Sequence, residues 1–179
     1  NFDIVLNFAG KIMSSVIMKQ NPMYGLQSNV NIHLNLFNAA KNAGLEKLIW
    51  LSSCTAYPVL GRPVKEEDYF KGQVPKRYSQ VGHMFRFLEK VAEMSLSKEI
   101  NLITLRPTSV YGEMDDFKTE TAHILPALIS EYSGTKGRKK IAFDTLELRD
   151  WIYVGDIVKA IDSSLVSLNK SATLNMGSG

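Results

Sequence analysis

The stretch NVNIHLNLFNAAKNAGLEKLIWLSS, from Asn29 to Ser53, decides the fold class. Its first half carries apolar residues at the spacing of one helix face, namely Val30, Leu34, Phe37 and Ala40. We expect this helix to begin at Asn21-Pro22, to run to Asn42 and to end at Gly44. The apolar run from Lys47 to Ser52 then has the length and composition of a buried strand. The stretch therefore predicts a helix followed directly by a strand.

The same alternation continues along the rest of the chain. Further strands are predicted at Asp3 to Phe8, Asn101 to Leu105, Trp151 to Val154 and Thr173 to Met176. Further helices are predicted at Lys76 to Leu96, His123 to Tyr132 and Asp156 to Leu168. Strands that are apolar throughout and alternate with amphipathic helices predict an α/β fold, in which a parallel sheet is covered on both faces.

Composition excludes several classes of protein. Of the 179 residues 22% are charged, the net charge is +3, and no apolar run approaches the length of a membrane span. The one short basic run, Lys136 to Lys140, is interpreted as a solvated loop and not as a nucleic-acid site. A single cysteine excludes an internal disulfide framework and fits a reducing, cytoplasmic compartment. We expect a protein without membrane or nucleic-acid partners.

Three predicted strands end in residues that are suited to a ligand site. These ends are Phe8 to Gly10, Ser52 to Thr55 and Arg106 to Thr108. Because the carboxyl ends of parallel strands lie along one edge of a sheet, all three should meet at one crevice. Cys54, the sole cysteine, is either a small core residue or a reactive group at this edge. The sequence leaves both readings open.

Three blocks carry a resemblance to a known family: the opening stretch, LITLRPTSVYG and LRDWIYVGDIVKAI. They resemble the extended short-chain dehydrogenase/reductases, the NAD-dependent epimerase/dehydratase family. The resemblance implies a Rossmann-like doubly wound sheet, with residues 1–179 forming part of an NAD(P)-binding domain and segments around 113–150 contributing to substrate binding. The family's glycine-rich fingerprint would precede Asn1. The chain is thus expected to be a fragment of a longer protein.

Two more blocks, SSCTAYP and YGEMDDFKTETAHILPAL, are similar to a subgroup of this family. Its members epimerise C3 and C5 of a GDP-4-keto-6-deoxy sugar and reduce C4 with NADPH. By this resemblance Cys54 and His123 correspond to the acid/base pair of epimerisation. A thiol and an imidazole, with reference pKa values of about 8.5 and 6.5, suit proton transfer near neutral pH. His123 could otherwise be a helix N-terminal residue that is satisfied by solvent.

The resemblance also implies a catalytic tyrosine with a lysine four residues later on the same helix face. Tyr78 matches the tyrosine, but Gly82 stands where the lysine is expected. Without the positive charge of this lysine three outcomes are possible. The reduction is weak, another residue supplies the charge, or the protein has lost the redox step. Tyr78 could instead be an ordinary aromatic residue on a helix surface.

The remaining family matches concern cofactor and substrate. The resemblance implies NADP or NAD, and the matching cofactor-binding residues are Ala9, Gly10, Ser52, Tyr78, Pro107 and Thr108. The active hydroxyl is Ser53 by its spacing to Tyr57, or Ser52 by direct match to SSC. Arg149 resembles an arginine that meets substrate phosphate, and could equally form a surface ion pair. Asn29 resembles an asparagine that braces the backbone of the site. No metal site is expected, because the three histidines are widely scattered.

Other functions remain open at this point. A dehydratase is disfavoured, because Cys54 and Thr55 replace its Asp-Glu pair. A simple 4-epimerase would be expected to keep the lysine, and Gly82 favours a redox-inactive binding member of the family. The resemblance further implies a nucleotide-sugar partner and a homodimer formed through the helices Pro22 to Asn42 and Lys76 to Leu96.

Overall fold

The computed structural model describes residues 2–11, 21, 23–118, 122–133 and 148–178. The main sheet consists of β1 (Ile4–Asn7), β2 (Lys47–Leu51), β3 (Asn101–Pro107) and β6 (Ala172–Met176). These strands are parallel and lie in the order β1-β2-β3-β6. Two short strands, β4 (Ser109–Tyr111) and β5 (Trp151–Tyr153), form a separate parallel pair. The predicted α/β class with a parallel sheet is confirmed.

The first described helix, α1, spans Leu26–Ala43. Its buried residues follow helical spacing, and they are Asn29, His33, Phe37 and Ala40. Gly44 ends it with a left-handed φ of 63°, and its N–H donates to the carbonyl of Lys41. The helix begins later than predicted, because Gly25, with φ 73°, closes a turn just before Leu26. Pro22, the predicted start, lies outside the described residues.

The second long helix, α2, spans Ser79–Leu96. We predicted one helix from Lys76, but Lys76–Tyr78 form a separate 3₁₀ turn, in which the N–H of Tyr78 donates to the carbonyl of Pro75. Helices α1 and α2 pack on one face of the sheet over Leu48 and Trp50 of β2. The rings of Phe37 and Trp50 meet edge to face within this core.

The opposite face of the sheet is covered by α4 (Val154–Ser167). Ile49 and Ile103 point to this side and pack with Ile157 and Ile161. Successive residues of β2 are therefore buried on opposite faces, as expected for a central parallel strand. The remaining helix, α3 (Ile124–Tyr132), follows His123 and carries Pro126 in its first turn, as predicted.

Strand β1 differs from the prediction of a buried strand. Ile4 and Leu6 are 40% and 41% exposed, because β1 forms the edge of the described sheet and pairs there only with β2. The burial of an apolar strand depends on the strands and helices that pack beside it. Its own sequence does not show which elements these are.

The other boundaries fall close to the predicted ones. Strand β3 continues two residues further, to Pro107, and β4 was not predicted, because its three half-buried residues show no periodicity. The predicted solvated loop at Lys136 to Lys140 and part of the predicted substrate segment 113–150 lie outside the described residues. No helix within the described ranges is both long and apolar enough to span a membrane.

Candidate active site

A cavity of about 350 Å³ opens at the carboxyl ends of β1 and β2. Its described lining comes from the loop after β1, the segment after β2, one face each of α1 and α2, and the residue before α3. These residues are Asn7, Phe8, Ala9, Gly10, Lys11, Asn29, His33, Leu51, Ser52, Ser53, Thr55, Val81, Phe85 and His123. The cavity lies where a parallel sheet is expected to hold its ligand.

The cavity brings together five of the predicted site residues. They are Ala9, Gly10, Ser52, Ser53 and His123. The other five, Cys54, Tyr78, Pro107, Thr108 and Arg149, are not among its described lining residues. Pro107 and Thr108 lie at the end of β3, where the N–H of Thr108 donates to the carbonyl of Met176. Arg149 lies just before β5.

The loop after β1 is held in place by two asparagines. The side chain of Asn29 accepts a hydrogen bond from the N–H of Lys11 at 2.6 Å and donates one to its carbonyl at 2.9 Å. Asn7 Oδ1 accepts from the N–H of Ala9 at 3.3 Å. Asn29 therefore braces the backbone beside Ala9 and Gly10, in agreement with the bracing role that we expected.

Ser52 is anchored to a buried ion pair behind the cavity. Its hydroxyl donates to Glu89 of α2. Two N–H groups of Arg106, on β3, donate to the two carboxylate oxygens of Glu89, at 3.0 and 2.7 Å. Arg106 also donates to the hydroxyl of Tyr57 at 2.7 Å, and its guanidinium lies 3.6 Å from the ring centre of Tyr69. The end of β2 is thereby tied to α2 and β3.

Ser53 and Thr55 form a short hydroxyl-capped turn at the cavity wall. Ser53 Oγ accepts from the N–H of Thr55 at 3.2 Å, and the two side-chain oxygens lie 3.0 Å apart. This bonding begins the 3₁₀ turn Cys54–Ala56. Thr55 belongs to the strand end that we predicted for a ligand site, but it was given no role of its own, although the Ser-x-Thr spacing that permits such a turn is visible in the sequence.

Cys54 lies within this turn and packs against Ala56, Tyr57 and Tyr69. Burial raises the pKa of its thiol to about 11, and the carboxylate of Asp150 adds to the rise. The thiol therefore holds its proton at neutral pH, so it can donate a proton but seldom acts as a base. The structure supports the reading of Cys54 as a packed side chain, and its catalytic role remains a prediction.

We expect Cys54 to be alkylated by iodoacetamide about 100-fold more slowly at pH 8 than a thiol of ordinary pKa, because the thiolate is correspondingly rarer. The rate should rise about tenfold per pH unit up to about pH 10. Mass spectrometry of the peptide that contains Cys54 measures it, and the protein unfolded in guanidinium is the control. Equal rates in the folded and unfolded protein would show that the thiol is not shielded.

Helix α2 presents apolar side chains to the cavity. Tyr78 lies in the turn before α2, and the guanidinium of Arg77 covers its ring at 4.9 Å. The residues of α2 that line the cavity are Val81 and Phe85, which are four positions apart and so share one helix face. Their spacing marks an apolar helix face in the sequence, but it does not show that this face borders a cavity.

Gly82 packs against the turn that carries Thr55. A Cβ at this position would lie 2.4 Å from Val74 Cγ1 and 3.1 Å from the carbonyl oxygen of Thr55. The glycine therefore permits close contact between α2 and the Cys54–Ala56 turn. A lysine here would have to displace these neighbours.

Two histidines border the cavity in different states. His123 directly precedes α3, its side chain is 55% exposed, and its Nδ1 lies 4.0 Å from Asp115 Oδ1. His33 is buried in α1, and burial lowers its pKa, so it is neutral. Its Nδ1 lies 2.8 Å from the carbonyl oxygen of Asn29, to which a neutral imidazole can donate. Of the two, His123 has the solvent access that proton exchange requires.

Comparison with known proteins identifies the family. The model of the NAD dependent epimerase/dehydratase family matches residues 1–177. The chain belongs to this family. A GDP-L-fucose synthase from Sinorhizobium fredii is 25% identical over 186 residues, which cover 98% of this chain and 58% of that enzyme. The chain thus spans about half to three fifths of the length of the curated relatives that it matches.

Solved structures of nucleotide-sugar enzymes have a similar fold. A GDP-L-fucose synthetase from Naegleria fowleri bound to NADP superposes with a TM-score of 0.81 at 19% identity, covering 99% of this chain and 60% of that one. A UDP-N-acetylglucosamine 4-epimerase from Methanobrevibacter ruminantium gives 0.79 at 25% identity, covering 98% and 55%. Among the described residues, no cluster of His, Cys, Asp or Glu is arranged to hold a metal ion.

Proposed function

We propose that the protein is an NAD(P)H-dependent nucleotide-sugar epimerase/reductase similar to the GDP-L-fucose synthases. Such an enzyme performs 3,5-epimerisation and 4-reduction of a GDP-4-keto-6-deoxy sugar. The observation that carries the proposal is the cavity at the carboxyl edge of the sheet, where the loop at Ala9 and Gly10, the hydroxyl of Ser53 and the imidazole of His123 meet. The similarity to several GDP-L-fucose synthases supports it.

Epimerisation next to a ketone requires a base, an acid and a donor for the enolate oxygen. His123 is the proposed base, because it is exposed at the cavity and retains a lone pair when neutral. The protonated thiol of Cys54 is the proposed acid, and it must reach the sugar by a small shift of its turn. Ser53 is the proposed donor to the enolate oxygen. Tyr78 and Ser52 remain proposed contacts of the cofactor and the redox step.

The residues beside β1 fit the nicotinamide half of a dinucleotide cofactor. Ala9 and Gly10 are small, so they leave space over the strand end, and the buried Asn7 Nδ2 has no hydrogen-bond partner in the described structure. When bound, NADPH or NADH supplies the hydride that reduces C4. Pro107 and Thr108 would border this half, and the buried hydroxyl of Thr108 is likewise without a described partner.

Further proposals concern substrate and assembly. Arg149 is proposed to contact substrate phosphate, and the segments around 113–150 to form part of the substrate region. A cytoplasmic homodimer through α1 and α2 is supported by Phe87 and Met94, which are exposed on α2 two turns apart. Apolar side chains in such a row commonly mark a helix interface.

The test is incubation of the full-length protein with a GDP-4-keto-6-deoxy sugar in heavy water. We expect deuterium at C3 and C5, measured by NMR, together with oxidation of NADPH. Cys54→Ser and His123→Asn should each remove most of the incorporation. His83→Asn, which alters an exposed histidine of α2, is the matched control. Absence of deuterium from the wild-type product would refute the epimerase proposal.

A second candidate is a redox-inactive member of the family. The observations that favour it are Gly82, which stands where the resemblance expects the lysine, and the cavity wall of α2, which is formed by the apolar side chains of Val81 and Phe85. Neither side chain can donate a proton to a ketone. Deuterium incorporation without NADPH oxidation would favour this candidate over the reductase. A simple 4-epimerase would show exchange at neither C3 nor C5, because it transfers only a hydride at C4.

A further inference from the structure

Three hydroxyl groups line the cavity within four residues, yet they differ in their surroundings. Ser52 is only 5% exposed, whereas Ser53 and Thr55 are half-buried. A hydroxyl group has a single proton, so each can donate only one hydrogen bond. Whether a hydroxyl can donate a hydrogen bond to a ligand therefore depends on whether its proton is already donated to a neighbouring protein group.

The proton of Ser52 is used by Glu89. Arg106 neutralises and fixes this carboxylate through two hydrogen bonds, so Glu89 accepts from Ser52. The other neighbour of Ser52 is Tyr69, whose hydroxyl lies 3.2 Å away. Burial and the Glu89 carboxylate raise the pKa of Tyr69, so it keeps its proton, which it donates to the carbonyl of Ser53 at 3.0 Å. Ser52 has no proton left for a ligand.

Ser53 and Thr55 have one proton to spare between them. Ser53 Oγ already accepts from the backbone N–H of Thr55. The contact of 3.0 Å between the two side-chain oxygens uses one of their two protons, in either direction. The other proton is free to point into the cavity. Because each hydroxyl polarises the other, the donor that remains is strengthened.

We propose that Ser53 and Thr55 act as one paired donor to an oxygen atom of the ligand, and that Thr55 is thus a further ligand-binding residue. The inference rests on the proposed function for the class of ligand, which is a hydroxyl or carbonyl oxygen of either the sugar or the cofactor. Glu89 is a positioning residue in this arrangement, because it accepts the hydrogen bond of the Ser52 hydroxyl and so keeps that hydroxyl from donating to a ligand. The pairing also favours Ser53 over Ser52 as the active hydroxyl, which the sequence had left open.

The test compares Thr55→Val with the wild-type full-length protein. Valine keeps the shape of the side chain and removes the hydroxyl. Calorimetric titration with NADP⁺ and, separately, with GDP-mannose measures the affinity. We expect a loss of about tenfold for one of the two probes, as for a lost hydrogen bond in a buried site. Loss for NADP⁺ assigns the contact to the cofactor, and loss for GDP-mannose assigns it to the sugar nucleotide.

Two variants separate this role from simple packing. Thr55→Ser restores the hydroxyl and should bind within about twofold of wild type. Thr173→Val, on β6 at the wall of a different cavity, is the matched control and should bind as wild type. If Thr55→Val does not fold, Thr55→Ala serves for the same comparison. In the double variant Ser53→Ala/Thr55→Val the loss should be smaller than the product of the single losses, because the pair acts as a unit.

The proposal is overturned if the folded Thr55→Val binds both probes as wild type does, if the single losses multiply, or if the wild type binds neither probe. Failure of the proposed function gives a different result. In that case the wild type incorporates no deuterium, while the effect of Thr55→Val on affinity persists.

Discussion

Arg106→Met should destabilise the protein by about 3–5 kcal/mol, because it leaves the carboxylate of Glu89 buried without its partner. The side chains of Arg106 and Glu89 are only 4% and 6% exposed. Arg106 also donates to Tyr57 and to the carbonyl of Glu66, so the variant leaves these acceptors unpaired as well. Urea denaturation followed by circular dichroism measures the change in the free energy of unfolding.

The double variant Arg106→Met/Glu89→Met should recover at least half of this loss, since it removes the uncompensated charge along with its partner. The control is Lys90→Met, which breaks an ion pair with Glu93 on the exposed side of α2 and should change stability far less. If Arg106→Met were no worse than Lys90→Met, the ion pair would not be buried as the structure describes.

Gly82→Ala should destabilise the protein by about 1–3 kcal/mol, although alanine is favoured over glycine in a helix by about 1 kcal/mol. The added Cβ would meet Val74 Cγ1 at 2.4 Å, as well as the backbone of Ala56 and Thr55. The helix and the turn must then separate, which displaces the Ser53–Thr55 pair. Thermal unfolding and ligand affinity should therefore both fall.

Gly61→Ala is the matched control, because a Cβ at Gly61 meets nothing within 4 Å. Gly82→Lys is expected to be worse than Gly82→Ala and to restore no reductase activity, since its longer side chain would have to displace Val74 and the Cys54–Ala56 turn. A stable Gly82→Lys variant with increased NADPH oxidation would contradict this account and support the simple reading of Gly82 as a missing lysine.

The sequence was sufficient to predict the elements whose signal is local. Helix α1 follows from its apolar spacing and from Gly44, and strand β2 from its unbroken apolar run. The exposure of β1 could not be predicted, because it depends on which strands lie beside it. The three-residue strand β4 is too short to show a pattern.

The candidate site follows from the sequence only in part. The loop after β1 and the segment after β2 meet at one cavity, as the parallel sheet predicts, but the end of β3, which was expected at the same crevice, is not among the described lining residues. Val81 and Phe85 were given no role at the site, because apolar side chains four positions apart mark a helix face without showing which cavity that face borders.

The hydrogen bond between Tyr57 and Asn175 joins residues that lie 118 positions apart, at 2.5 Å. Asn175 also donates its backbone N–H to the side chain of Glu66, so the last described strand secures the segment that follows the paired hydroxyls. On the ribosome Asn175 emerges long after Tyr57. A nascent chain therefore acquires this bond only after Asn175 has left the ribosome, so the segment after the paired hydroxyls is secured well after its own synthesis.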